Sequence, residues 1–220
     1  LADVSDVAAA EAFGIDDYIP STLDLFRRDG KLYGLPFSAP PSVVFYNADL
    51  FEKADIPTPA ELYRKGAWTW EAFRQSARAI AQAGGSRDGG GGSPHVYGAA
   101  FMRDWKTWIQ LCSFSWSYGS GPFNRDMTDF TWDDEYGVRT MTMLRDMVLK
   151  EKSHPPIGEQ VNFESGAVGM YFDVYSYVSV ARGIRSFWWD IAPMPSGPDG
   201  TVPMQGQAGY VMFQDSRHPE

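Results

Sequence analysis

Residues 29–49 read DGKLYGLPFSAPPSVVFYNAD, and the prolines inside this stretch limit the possible folds more than any other feature. Asp29-Gly30 is a turn signal, because glycine reaches positive φ without a Cβ clash. Leu32 to Leu35 then reads as a short strand stopped by Pro36, and Ser42 to Tyr46 as a second, nearly all-apolar strand. Between them, in Phe37-Ser38-Ala39-Pro40-Pro41, the two prolines remove backbone donors and fix φ, which bars a helix and a central place in a sheet. The segment is expected to cross, extended and stiff, from one packed element to another.

The remainder of the chain alternates strand and helix patterns. NADLFEKA reads as a short helix capped by Asn47, with Leu50 and Phe51 turned inward. Thr69 is the expected N-cap of the next helix, whose stripe is Phe73, Ala77, Ile80 and Ala81 and whose end is Gly84-Gly85. VYGAAF is a strand, and DWKTWIQLCSFSW is helical with Trp105, Trp108, Leu111 and Cys112 toward one side. DDEYGVRTMTMLRDMVLKEK predicts a long helix with acids at its start and Val138, Met141, Leu144 and Val148 on one face. VGMYF is strand, DVYSYVSVARG helix, DIAPMP strand and PSGPDG a turn. Such alternation predicts an α/β fold with a parallel or mixed sheet, and 220 residues suit one large domain or two lobes.

Charge and cysteine usage remove several function classes. With 28 acidic against 19 basic residues and no Lys/Arg run, the net charge of −9 opposes binding to nucleic acid or anionic lipid. A single cysteine, Cys112, allows no intrachain disulfide and no C-x-x-C site, and it is expected to be a buried small hydrophobe. No apolar run reaches the roughly 18 residues of a membrane span. The chain lacks an initiator Met and reads as a piece of something longer.

Enzyme signatures are equally sparse. His95, His154 and His218 stand apart beside prolines and are expected to be solvated, with no metal-ligand spacing among them. SRDGGGGSP at 86–94 lacks the Lys-Ser/Thr of a phosphate loop and reads as a surface loop; neither a nucleophile elbow nor a dinucleotide fingerprint occurs. No cofactor or metal is implied. Asp133-Asp134-Glu135 could be a glycosidase acid/base pair, but acids at a helix start also fit the dipole. Asp173 follows VGMYF at a strand's carboxyl end, where it is either an N-cap alone or a cap that also touches ligand. Aromatic residues make up 15% of the chain, eight of them Trp; each can be core, yet Trp116, Tyr118 and Tyr175 sit beside Ser, Gly and Asp, where flat faces next to polar groups suit a sugar ring.

Taken together, these segments resemble the carbohydrate-binding group of extracellular solute-binding proteins of bacterial ABC importers, which includes maltose-binding protein. The resemblance rests on Gly30, Lys31, Tyr33, Gly34 and Pro36; then Tyr46, Asn47, Asp49, Leu50 and Phe51; then Thr69, Trp70 and Phe73. FESGAVGMYFDVYSYV, WDIAPMPSGPDG and QGQAGYVMF add later blocks in the right order. It implies a two-lobe, type II periplasmic-binding-protein-like α/β fold with the ligand held between the lobes and hinge motion on binding. Residues 1–40 would be part of the first lobe and the first crossing, 41–204 the second lobe, and 205–220 the second crossing returning to the first lobe. The family's opening strands and helices and its closing helical segment would be missing. The implied ligand contacts are Ser38 and Pro40, then Trp105, Trp116 and Tyr118, then Asp173 and Tyr175, then Gln205 and Gln207. The aromatics would stack; Asp173 and the glutamines would bond hydroxyls. The implied role is non-enzymatic: capture of a mono- or oligosaccharide for membrane permease subunits, outside the cell or in the periplasm, with a lipid anchor on the full-length protein. The rival is a carbohydrate-active enzyme of the glycoside hydrolase type using Asp173 and a second acid. In a third reading the segment is only a structural or partner-binding piece.

Overall fold

The apolar strand that follows the prolines, β4 (Ser42–Asn47), is the middle of the protein's main sheet. The structure is a computed structural model describing residues 1–10, 14–84, 95–102, 108, 110–124 and 126–217. Trp105, His218 and the glycine-rich loop at 86–94 lie outside the described residues. Internal contacts separate two units, Leu1–Pro41 with Gln205–Glu220, and Ser42–Met204.

The smaller unit holds α1 (Ser5–Ala8), α2 (Pro20–Asp24), β1 (Arg27–Arg28), β2 (Lys31–Leu32), β3 (Leu35–Ser38) and, from the end of the chain, β8 (Ala208–Tyr210). Asp29-Gly30 turns β1 back onto β2, both residues at positive φ. The expected strand at Leu32–Leu35 is divided: β2 stops at Leu32, and Pro36 lies inside β3 rather than ending it. Proline is tolerated there because β3 has one partner, β8, and the ladder shifts register between Pro36 and Ser38. Ala8, Leu23 and Leu32 form a small core with Val4, Ile15, Tyr18, Phe26 and Leu35 against it.

In the larger unit, β4 leads into α3 (Ala48–Lys53), capped by the Asn47 side chain, which accepts the Leu50 N–H at 3.2 Å. A reciprocal Thr58–Glu61 capping box starts α4 (Pro59–Arg64), and Thr69 caps α5 (Trp70–Ala83). Then come β5 (Tyr97–Ala100), α6 (Cys112–Trp116), α7 (Glu135–Leu149), β6 (Val168–Val174), α8 (Val178–Ala181) and β7 (Trp189–Ala192). The sheet order is β5-β6-β4-β7. One face carries the core of Val44, Phe73, Ile80, Phe101, Met147 and Phe172; the other carries Phe45, Phe163, Val168, Tyr171 and Ala181. α5 packs so closely on β5 that a Cβ on Gly98 would lie 1.8 Å from the Ala77 carbonyl oxygen.

Two further sequence expectations need correction. The face of α7 is rotated: Val138 and Met141 are 56% and 46% exposed, while Gly137, Thr140, Met143, Leu144 and Met147 are buried. Close backbone approach decides this, since Gly137 lies where a Cβ would be 2.0 Å from the Trp132 carbonyl oxygen. Asp173 is not a helix cap, because pairing of Ser42 with Val174 extends β6 past it and α8 begins only at Val178.

Candidate functional site

β5, β6 and β7 run in one direction and β4 in the other, so three strand carboxyl ends and the start of β4 share one edge of the larger unit. Open α/β sheets bind ligands at such ends, because the loops leaving them are free of the strand ladder. Here the edge is tied together by buried polar groups. The Ser42 N–H donates to the Met204 carbonyl at 2.7 Å, and the Met204 N–H donates to Ser113 Oγ at 3.0 Å. The Ser42 hydroxyl donates a long 3.5 Å bond to Gln110 Oε1. Gln110 and Ser113 are not among the residues the sequence points to. Their signal was present, since polar residues inside the apolar run WIQLCSFSW need a buried partner.

Asp173 and Tyr175 are brought to this edge. Asp173 sits opposite Val43 in the ladder, half-buried, and its Oδ1 accepts the Val174 N–H at 2.8 Å. Tyr175, two residues on, is 50% exposed. Its neighbour Tyr177 is locked instead. Burial raises the Tyr177 phenol well above its ordinary range, helped by Glu164, which accepts its O–H at 2.5 Å, and by the Asp173 charge.

The β5 end is held by His154, which overturns the expectation of a solvated imidazole. His154 is 1% exposed, and its Nε2 accepts the N–H groups of Phe101 at 3.1 Å and Met102 at 3.2 Å. Nδ1–H therefore donates to the Pro155 carbonyl at 2.7 Å. Burial pushes its pKa down to about 4, so the ring is neutral at neutral pH. Two strand-end donors with no ladder partner explain why a histidine is buried here.

Trp116 and Tyr118 keep different company. Both are half-buried against the α5-side core, and the Trp116 indole nitrogen closes on Gly121, where a Cβ would be 2.8 Å away. Tyr118 is stacked on Tyr136 at 5.6 Å, packs on Phe114 at 4.9 Å and has the Arg139 guanidinium 5.0 Å from its ring centre. Its ring borders a hollow of about 160 Å³ between α5 and α7. Cys112 is buried as expected, and burial pushes its thiol up to about 12, which removes it as a nucleophile.

In the smaller unit Ser38 ends β3 opposite Ala208, and the Pro40 carbonyl accepts the Gly206 N–H at 3.2 Å. The Gln205 side-chain amide donates to the Ala39 carbonyl at 2.9 Å, and that of Gln207 to the Thr22 carbonyl. The side-chain N–H groups of the two glutamines thus hold backbone within their own unit. Among the described residues, no group of three His, Cys, Asp or Glu side chains could hold a metal ion, and no helix is long and apolar enough to cross a membrane.

The family profile described as "Bacterial extracellular solute-binding protein" matches residues 1–220. The arabinooligosaccharide-binding protein of Bacillus subtilis is 24% identical over 222 residues, which cover 93% of this chain and 46% of that protein. An ABC substrate-binding protein from Listeria monocytogenes, solved in complex with cycloalternan, superposes with a TM-score of 0.75 at 24% identity, covering 99% of this chain and 53% of its own. UgpB from Mycobacterium tuberculosis, in complex with glycerophosphocholine, reaches a TM-score of 0.82 at 16% identity over 99% of this chain and 51% of its own. The chain spans about half the length of the curated relatives it matches. Its fold is the mixed α/β, type II periplasmic-binding-protein-like fold.

Proposed function

Because the chain belongs to the bacterial extracellular solute-binding protein family, we propose that it is part of the carbohydrate-binding component of an ABC importer, capturing a mono- or oligosaccharide without covalent chemistry. The observation that carries this reading is the family match over residues 1–220, joined to an exposed tyrosine and a half-buried carboxylate at the strand carboxyl ends. In this role Tyr175 stacks on a sugar ring, and Asp173 accepts from its hydroxyls. Ser38, Pro40, Gln205 and Gln207 contribute from the smaller unit, chiefly through backbone shape and carboxamide oxygens. Trp105 and Trp116 are further stacking candidates, and Tyr118, with its ring already engaged, is the weakest of the set. The partners are the importer's membrane permease subunits. The full-length protein works at the outer face of the cell membrane or in the periplasm, held by a lipid anchor. The arabinooligosaccharide and the cycloalternan named for two of the similar proteins support a polyhydroxylated ligand class.

A thermal-shift screen of the full-length protein against a sugar panel identifies the ligand, since a compound bound only by the native state raises the melting temperature. Calorimetric titration of Tyr175→Ala with that ligand should then show at least about a tenfold loss of affinity. Unchanged affinity would remove Tyr175 from the site. Incubation with labelled oligosaccharides separates binding from hydrolysis: release of reducing ends would replace this reading with the glycosidase one.

A further inference from the structure

At the opposite end of β4 from Ser42, about 17 Å away over five strand steps, a second hollow of about 450 Å³ is lined by Asp49, Ile184, Arg185, Ser186, Phe187, Trp188 and Trp189. That volume falls in the range of small-ligand sites, roughly 300–1,000 Å³. Trp188 is 80% exposed there, yet its backbone is fixed on both sides. The Ala48 N–H donates to the Trp188 carbonyl at 2.8 Å, and the Trp188 N–H donates to Asp49 Oδ1 at 3.3 Å. Trp189 continues into β7 opposite Asn47, and Phe187 is wedged edge-on against Phe163 at 5.4 Å. A bare indole on an anchored backbone is therefore presented in one place rather than left on a loose loop.

Charge selects what the indole can meet. Asp49 and Arg185 both line the hollow, but among the described residues neither forms an ion pair. Arg185 spends one nitrogen, Nη1, on the Arg182 and Ile184 carbonyls, which leaves the rest of its fork available. One carboxylate and one guanidinium cancel, so an anionic ligand would meet Asp49 and a cationic one Arg185; a small zwitterion could match both charges but would leave the broad, 80% exposed indole face uncovered. A neutral ring with an apolar C–H face and a rim of hydroxyls can lie on the indole, donate to Asp49 and accept from Arg185 and Ser186 at once.

We propose that this hollow, formed by Trp188, Asp49 and Arg185, is a second carbohydrate site that takes one or two neutral sugar rings independently of the strand-end site. The test is an indole N–H nuclear magnetic resonance titration of the full-length protein with maltotriose and with cellotriose, the Trp188 signal being assigned by its loss in Trp188→Phe. The Trp188 signal should move saturably with at least one of the two sugars. Asp49→Asn should weaken that response by about tenfold, and Tyr175→Ala should leave it unchanged. A Trp188 signal unmoved at the solubility limit of both sugars overturns the proposal. So does loss of the response in Tyr175→Ala, which would make it a remote echo of the strand-end site. Protection of Trp188 from acrylamide quenching before any sugar is added would show that another part of the protein covers the hollow, and would overturn it as well.

Discussion

Helices α5 and α7 flank the same core, yet apolar periodicity identifies the buried face of one and misplaces that of the other. In α5 the stripe of Phe73, Ala77, Ile80 and Ala81 is the buried face, because its large side chains lie on one side of the helix and the close approach of Ala77 to Gly98 falls on that same side. In α7 the apolar residues are spread around the helix, so the stripe is ambiguous. Its orientation comes from Gly137 pressed against the Trp132 backbone and from Thr140, whose hydroxyl donates to the Tyr136 carbonyl at 2.7 Å and so can be buried. Where large side chains make the contact, hydrophobic spacing reports the face. Where small residues and self-satisfied polar ones make it, spacing misleads.

The largest expected effect tests the α5 half of that contrast. Phe73→Ala removes a ring packed on Trp70, Phe101 and Phe172 and should cost about 3–5 kcal/mol in urea denaturation. A cost below about 1 kcal/mol would mean that α5 is not anchored by its stripe.

Next in size is the pH dependence carried by His154, at the C-terminal side of α7. Its folded pKa of about 4 lies below the ordinary 6.5, so the native state favours the neutral ring. Stability from this group is complete above pH 6.5 and falls as pH drops from there to about 4, by no more than about 3 kcal/mol. Replacement by Gln, which can accept but not titrate, should flatten that part of the stability profile measured by thermal melts from pH 7 to 4. An unchanged profile would assign the acid sensitivity to other groups.

Gly137→Ala probes the contact that orients α7. Its Cβ meets backbone rather than a movable side chain, so the helix must shift, at about 1–3 kcal/mol. A neutral or stabilising result, as expected of Gly→Ala in an unconstrained helix, would show that the close approach does not set the face. The smallest effects belong to Val138→Ala and Met141→Ala, each expected within about 0.5 kcal/mol because both side chains are exposed. A loss of 2 kcal/mol or more at Met141, on the scale of a buried methionine, would restore the face drawn from spacing.

The sequence by itself determined the elements whose causes are local. Asn47 and Thr69 cap their helices, Asp29-Gly30 turns a hairpin, VGMYF and VYGAAF form strands, and the family blocks identify the fold. The caps and the turn depend on backbone sterics and on hydrogen bonds that reach at most three or four residues along the chain; the strands show through their short apolar runs, although their ladders join residues far apart. Only the tertiary structure decided the rest. Asp173 became a strand residue because Ser42, more than a hundred residues earlier, continued the ladder beside it. His154 was drawn inside because two N–H groups at the end of β5 lacked an acceptor. Tyr118 was occupied by rings from α6 and α7, while Trp188 was left bare on a pinned backbone. Each outcome depends on which distant group supplies the missing hydrogen bond or contact surface, and that is a property of the packed chain.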